Sequence, residues 1–141
     1  METVMMNKIE ITKIGEEEIL QLQEIGRQTF YETFFESNTE ENMKSYLENG
    51  FSIDKITTEL NNETSEFYFA KLDKEVIGYL KLNFGQSQTE LKDDKALEIE
   101  RIYVLKEFHG KKVGQILYDK AIEIAKKKNS DFIWLGVWEE N

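Results

Sequence analysis

The sequence predicts a mixed α/β (α+β) fold in which a mostly antiparallel sheet is flanked by helices and finishes with a β-loop-α-β unit. Three observations carry this expectation. Up to residue 60 the apolar side chains recur at helical spacing, and from residue 67 onward the period becomes that of strands. Residues 96–137 then run strand, glycine-containing loop, helix, strand. No repeat, low-complexity tract or Gly/Ser-rich linker interrupts the chain, so residues 1–141 are expected to form one domain.

Each element has a local cause. Ile9 and Ile11 alternate with Lys8, Glu10 and Thr12, which predicts a short first strand. Ile19, Leu22, Ile25, Phe30 and Phe34 place one apolar stripe on residues 16–36, whose acidic start suits a helix N-terminus. Ser37-Asn38-Thr39-Glu40 has the spacing of a capping box, followed by Met43, Tyr46 and Leu47 on a second helix ending near Gly50. Ser52 is expected to open a third helix through Leu60. Beyond Asn61-Asn62, residues 67–72 and 76–84 are aromatic and β-branched runs joined at Asp73-Lys74, an antiparallel hairpin. Residues 85–94 are polar and expected to be a loop. In residues 96–104, strict alternation would turn Leu97, Ile99, Arg101 and Tyr103 one way and Glu98, Glu100, Ile102 and Val104 the other. Val113, Ile116, Leu117, Ala121, Ile124 and Ala125 form one stripe of a helix over 113–128, with three lysines at its C-terminal end. The continuous apolar run 131–137 predicts a buried strand parallel to its predecessor.

Composition narrows the function. With 28 acidic and 18 basic side chains the net charge is −10, while 40% hydrophobic residues suffice for a core. A chain this acidic is a poor match for a nucleic-acid backbone and a good one for small cations. No run reaches the roughly 18 to 20 apolar residues of a membrane-crossing helix, and the N-terminus lacks the pattern of a signal peptide, so a cytoplasmic protein without a membrane partner is expected. There is no cysteine and only one histidine, His109, which removes disulfides, thiolate nucleophiles and Cys- or His-pair metal sites; no metal is expected.

The junction between the strand ending at Val104 and the helix starting at Val113 is the most informative segment. A strand, a short loop with Gly110 and Gly114, and an immediate helix aim unpaired N–H groups and the positive end of a helix dipole at one spot. Lys111 and Lys112 reverse the charge locally. Phosphate binding and a plain turn-plus-cap both fit this pattern. Neither Gly-x-Gly-x-x-Gly nor Gly-Lys-Ser/Thr is present.

Residues 98–114 (EIERIYVLKEFHGKKVG) and their continuation to Ala125 resemble motif A of the GNAT superfamily of acyl-CoA-dependent N-acetyltransferases. Residues 28–34 (QTFYETF), 41–47 (ENMKSYL) and 133–139 (IWLGVWE) are similar to the PaiA-type polyamine acetyltransferases of that superfamily. The resemblance implies acetyl-CoA as cosubstrate and a primary amine, such as spermidine or spermine, as the small-molecule acceptor. It places the pyrophosphate loop on His109, Gly110, Lys111, Lys112, Val113 and Gly114, with Gln115 beside it. Here His109 replaces the motif's Gln or Arg, and Lys112 replaces its first glycine. It further implies that Ile102, Tyr103 and Val104 pair with the pantetheine arm where the last two strands splay. Glu98 and Glu100 become the candidates for removing the ammonium proton directly or through water, and for holding a polyamine cation. Phe30, Tyr31 and Phe34 would line the acceptor pocket, with Trp138 presenting a ring face to alkylammonium groups.

In the superfamily an Asn-led helix carrying a general-acid Tyr, and two further strands, follow the fifth strand. Asn141 falls at the entrance of that helix and is expected to touch CoA, so the domain is read as truncated after its fifth strand. An open sheet edge there would invite a homodimer. Two rival readings stand beside the polyamine enzyme: a non-catalytic acyl-CoA-binding regulatory module, and a peptide or protein N-terminal acetyltransferase.

Overall fold

The computed structural model describes residues 9–90 and 92–135. Strands β1 (Ile9–Lys13), β2 (Ser65–Leu72), β3 (Glu75–Phe84), β4 (Ala96–Val104) and β5 (Phe132–Leu135) form one sheet in chain order. Neighbours are antiparallel except β4 and β5, which are parallel. Helices α1 (Ile19–Phe34), α2 (Glu40–Gly50) and α3 (Ile53–Leu60) separate β1 from β2, and α4 (Val113–Lys127) carries the chain from β4 to β5. None of the described helices is long and apolar enough to cross a membrane.

The helices cover opposite faces of the sheet. Val113, Leu117, Ala121, Ile124 and Ala125 of α4 pack on Tyr68, Ala70, Leu80, Leu82, Leu97 and Ile99. On the other face Leu22 and Ile25 of α1 and Ile56 of α3 pack with Phe51, Phe67, Phe69 and Tyr79. Removing these apolar side chains from water, at about 25 cal/mol per Å², is the main force holding the layers together. The β2–β3 turn is closed by Asp73 and Lys74, both with positive φ (50° and 75°), the twist that a two-residue hairpin favours.

Three expectations are corrected. The cap of α2 is Thr39, whose Oγ1 accepts the Asn42 N–H at 3.1 Å. Ser37 instead belongs to a 3-10 turn that prolongs α1, and its hydroxyl donates to the Phe34 carbonyl at 3.2 Å. Strand β5 is half exposed rather than buried, with Phe132 at 42% and Leu135 at 47%, because it is the edge strand among the described residues. The alternation along β4 also breaks. Lys81 pairs with Arg101 and Leu82 with Ile99, so Glu100 is an extra residue, a β-bulge. Past it the phase inverts: Ile102 and Val104 pack on the α4 side with Leu97 and Ile99, and Tyr103 turns to the α1–α3 side.

Strands β3 and β4 approach closely where this region ends. A Cβ on Gly78 would stand 2.7 Å from the Tyr103 carbonyl oxygen and 3.3 Å from Val104 Cα, backbone atoms that cannot swing away. Gly78→Ala is therefore expected to lower the unfolding free energy by about 1–3 kcal/mol in urea denaturation. The buried Thr12 hydroxyl has no hydrogen-bond partner among the described residues. Thr12→Val, which keeps the shape and drops the unpaired polar atom, is expected to raise stability by about 1 kcal/mol in the same measurement.

Candidate active site

After Val104 the chain makes a 3-10 turn, Lys106–Phe108, and bends through residues 109–112 into α4. The Lys106 N–H donates to Glu32 Oε1 of α1 at 2.8 Å, which fixes the loop against the opposite helical layer. His109 Nε2 donates to the Val104 carbonyl at 2.8 Å, so the ring closes the loop onto its own strand while staying exposed. Gly110 has φ +81° and Lys112 has φ +65°. A side chain in the left-handed region costs about 1–2 kcal/mol, which gives a physical reason for glycine at the position Lys112 occupies.

The first backbone bond of α4 runs from the Ile116 N–H to the Lys112 carbonyl at 3.1 Å. The N–H groups of Val113, Gly114 and Gln115 thus precede any helical acceptor. No side chain caps them, whereas Thr39 caps α2 and Ser52 caps α3. Cβ atoms placed on Gly110 or Gly114 would meet nothing within 4 Å, so the surface is open to an approaching anion. Lys106, Lys111 and Lys112 bring positive charge to it. Val113 is buried in the α4 core, and Gln115 donates to Asp119 along the exposed helix face. Pairing of β4 with β5 stops at Ile99 and Leu135, so Ile102, Tyr103 and Val104 have β3 on one side and, among the described residues, no strand on the other. An exposed backbone edge leading to an uncapped helix end fits an acyl-CoA: the edge for its amide-bearing arm, the helix end for its phosphates.

Beside this edge, on the α3 side of the sheet, lies a polar cluster. Glu98 is 2% exposed, and its carboxylate accepts from Asn83 Nδ2 at 3.0 Å, the Thr89 N–H at 2.8 Å and the Thr89 hydroxyl at 2.6 Å. Glu100 accepts from the same Asn83 Nδ2 at 2.8 Å and from Lys81 Nζ at 2.8 Å, with Arg101 Nη2 at 3.5 Å. Arg101 also forks onto Glu59 of α3 at 3.1 and 3.3 Å. Burial pushes the Glu100 carboxyl up, but Lys81 and Arg101 outweigh it and hold the group below the usual carboxylate range. The two glutamates are brought together as spacing predicts, yet they are not solvated strand residues. Glu98 has both oxygens engaged; the Glu100 side chain is 23% exposed and is the one a ligand can reach.

Ser65, Lys81, Asn83 and Thr89 complete this cluster and escaped the sequence reading. Lys81 and Asn83 alternate with Leu80, Leu82 and Phe84, a pattern that normally marks a solvent face. Only the covering by α3 and the 85–95 loop buries them.

The aromatic residues divide by face. Phe30 packs on Phe34, Phe51 and Tyr46 with ring centroids 4.8, 5.6 and 5.8 Å apart. Tyr31 stacks on Phe35 at 5.4 Å, and both line a groove of about 710 Å³ with Arg27, Met43, Lys44 and Leu47. No lining residue of the groove belongs to the Glu98–Glu100 cluster. Trp134 donates its indole N–H to Gln88 at 2.7 Å, which ties β5 to the 85–95 loop. Trp138 and Asn141 lie outside the described residues. Among the described residues no group of three His, Asp or Glu is arranged to hold a metal ion.

This geometry has counterparts. Residues 21–141 match the Acetyltransferase (GNAT) family. An N-acetyltransferase of Lactobacillus delbrueckii subsp. lactis is 39% identical over 136 residues, covering 96% of this chain and 79% of that protein. The spermidine N(1)-acetyltransferase of Thermoplasma acidophilum is 29% identical over 124 residues, 85% of this chain and 72% of the relative. The crystal structure of PaiA N-acetyltransferase from Thermoplasma acidophilum in complex with coenzyme A superposes with a TM-score of 0.78 at 28% identity, over 94% of this chain and 81% of the other. The family match spans the whole β4–α4 junction and most of the fold that positions it, and the chain belongs to the GNAT family of acetyltransferases.

Proposed function

We propose that this GNAT N-acetyltransferase moves the acetyl group of acetyl-CoA onto a primary amine of a polyamine such as spermidine or spermine. The observation that carries the reading is the Glu98–Glu100 pair beside the free edge of β4, with Glu100 kept ionised by Lys81 and Arg101. The net charge of −10 and the likeness to a spermidine acetyltransferase support it. Acetyl-CoA supplies an activated acetyl thioester. The uncapped N–H groups of α4, with Lys111 and Lys112, hold its pyrophosphate, and the backbone of Ile102, Tyr103 and Val104 aligns the arm.

Glu100 then attracts the ammonium group of the acceptor. A carboxylate held this low is a weak base, so its part is to bind the cation and to orient a water that carries the proton to solvent. The free amine attacks the thioester carbonyl, a C–N bond forms as the C–S bond breaks, and the amine's second proton balances the departing thiolate.

The reading is tested by titrating acetyl-CoA calorimetrically and following thiol release with polyamines and with N-terminal peptides. Turnover of polyamines supports it; turnover of peptides alone, or binding without turnover, overturns it. Gly114→Val fills the open approach to the helix end and is expected to weaken CoA binding at least tenfold in calorimetry without lowering the melting temperature. Glu100→Gln is expected to raise the spermidine KM at least tenfold while leaving CoA affinity unchanged. Because the Glu100 carboxyl is held below its ordinary value of 4.5, its attraction for the ammonium group is expected to persist through the neutral range and to be lost only as pH falls through that lowered value. A pH series of kcat/KM checks this.

A further inference from the structure

Asn83 is the buried hub on which the two glutamates depend. It sits in β3 opposite Glu98, is 0% exposed, and its carboxamide uses every hydrogen-bonding direction that the cluster offers. Ser65 Oγ donates to Asn83 Oδ1 at 2.8 Å, while the two Nδ2 protons go to Glu98 Oε1 at 3.0 Å and Glu100 Oε1 at 2.8 Å. Chemistry fixes this orientation. Turning the amide over would point its oxygen at two carboxylates and its NH₂ at a hydroxyl, exchanging two charge-assisted bonds for two repulsions.

Two carboxylates sharing one NH₂ group lie close enough to repel, and an unsupported pair of that kind takes up a proton or splays apart. The surroundings decide which. Facing the pair are Lys81 from β3, Arg101 and Tyr103 from β4, and Thr89 from the β3–β4 loop, with Glu59 of α3 meeting both cations and Tyr79 of β3 lying against Arg101. Lys81 and Arg101 are shared with Glu59, so the cations alone do not compensate both Glu98 and Glu100. The neutral donor between them makes up the difference and sets their spacing.

We propose that Asn83 is the positioning residue of the acceptor site: pinned by Ser65, its carboxamide clamps Glu98 and Glu100 side by side so that the Glu100 carboxylate faces the incoming ammonium group. This rests on the assignment of Glu100 to the acceptor amine. Asn83 itself touches no substrate. It acts through Glu100, and its loss therefore affects acceptor recognition and the pH at which recognition fails, leaving the CoA loop on the far end of β4 intact.

The experiment compares the wild-type chain with Asn83→Asp, Asn83→Ala and Ser65→Ala. Spermidine KM, kcat and the acid limb of kcat/KM are measured against pH, and calorimetric CoA affinity reports on the fold. Asn83→Asp keeps the shape, removes both donors and adds a third carboxylate. It is expected to bind CoA within about twofold of wild type, to raise the spermidine KM at least tenfold with a smaller change in kcat, and to move the acid limb to higher pH. Asn83→Ala is expected to follow in the same direction, and Ser65→Ala, which frees only the carbonyl side of the amide, to show the same displacement at smaller size. Unchanged spermidine KM and acid limb in variants that bind CoA normally overturn the proposal. If both Asn83 variants lose CoA binding through misfolding, Ser65→Ala decides: a shifted acid limb sustains the proposal, an unshifted one overturns it. Glu100→Gln in the same assay separates the two levels. If it leaves the spermidine KM unchanged, the assignment of Glu100 fails; if it raises KM while the Asn83 and Ser65 variants do not, the positioning role alone fails.

Discussion

A single extra residue in β4, the bulge at Glu100, is the constraint on which both the core and the candidate site depend. Without it, strict alternation would place Ile102 and Val104 on the side of Glu98, and Arg101 on the side of Leu97. With it, Leu97, Ile99, Ile102 and Val104 all reach the α4 core, while Glu98, Glu100 and Arg101 all meet the polar cluster under α3. One strand can then be apolar along one face and ionic along the other despite a sequence that does neither cleanly. The bulge also falls where the β5 pairing stops among the described residues, so the same residue marks the end of the paired edge there.

The ionic face is costly to assemble. Moving a charged group from water into a protein interior costs of order several kcal/mol per ion, offset only when partners and hydrogen bonds are in place. Here Glu59, Glu98 and Glu100 face Lys81 and Arg101, an excess of one negative charge, and Asn83, Ser65 and Thr89 supply the neutral donors. Such a cluster contributes little to net stability compared with an apolar core of equal volume. What it provides is a carboxylate whose charge state does not vary through the neutral range, as the proposed binding of a cationic amine requires.

The opposite sign is managed at the other end of β4. An acidic protein needs a local positive field to receive a phosphate-bearing cosubstrate, and on the proposed reading the α4 N-terminus with Lys106, Lys111 and Lys112 supplies it. Lys112 accepts a left-handed backbone to stand there, exchanging glycine's freedom for a cation. The two ends of one strand thus carry opposite charges, as the proposed binding of an anionic cosubstrate and a cationic acceptor requires, and His109 and Glu32 hold the loop after it in register with the sheet.

Much of the fold was legible because its causes are local. Among the described residues apolar spacing locates every helix and strand within a few residues, Asp73-Lys74 and Ser52 act through their own backbone neighbourhoods, and the glycines between Val104 and Val113 mark the turn from β4 into α4. Ser37 had the spacing of a cap, but it became the last residue of the 3-10 turn that prolongs α1, and Thr39 took the role. The polar cluster under α3 could not be read in this way. Glu98 and Glu100 stand out by spacing, whereas Ser65, Lys81, Asn83, Thr89 and Glu59 look like ordinary surface residues until three strands, a loop and a helix converge on them. The division of the aromatics, with Phe30 and Phe34 packed together and Tyr31 and Phe35 left to the groove, likewise depended on which side α2 came to cover. By itself the sequence determined the order of elements and the strand-loop-helix junction proposed to bind an anion, since hydrogen bonds and periodicity within a few residues specify both. Only the tertiary structure decided which way β4 faces after Glu100 and which polar groups share one buried space, because those follow from strand register and from burial by segments distant in the chain.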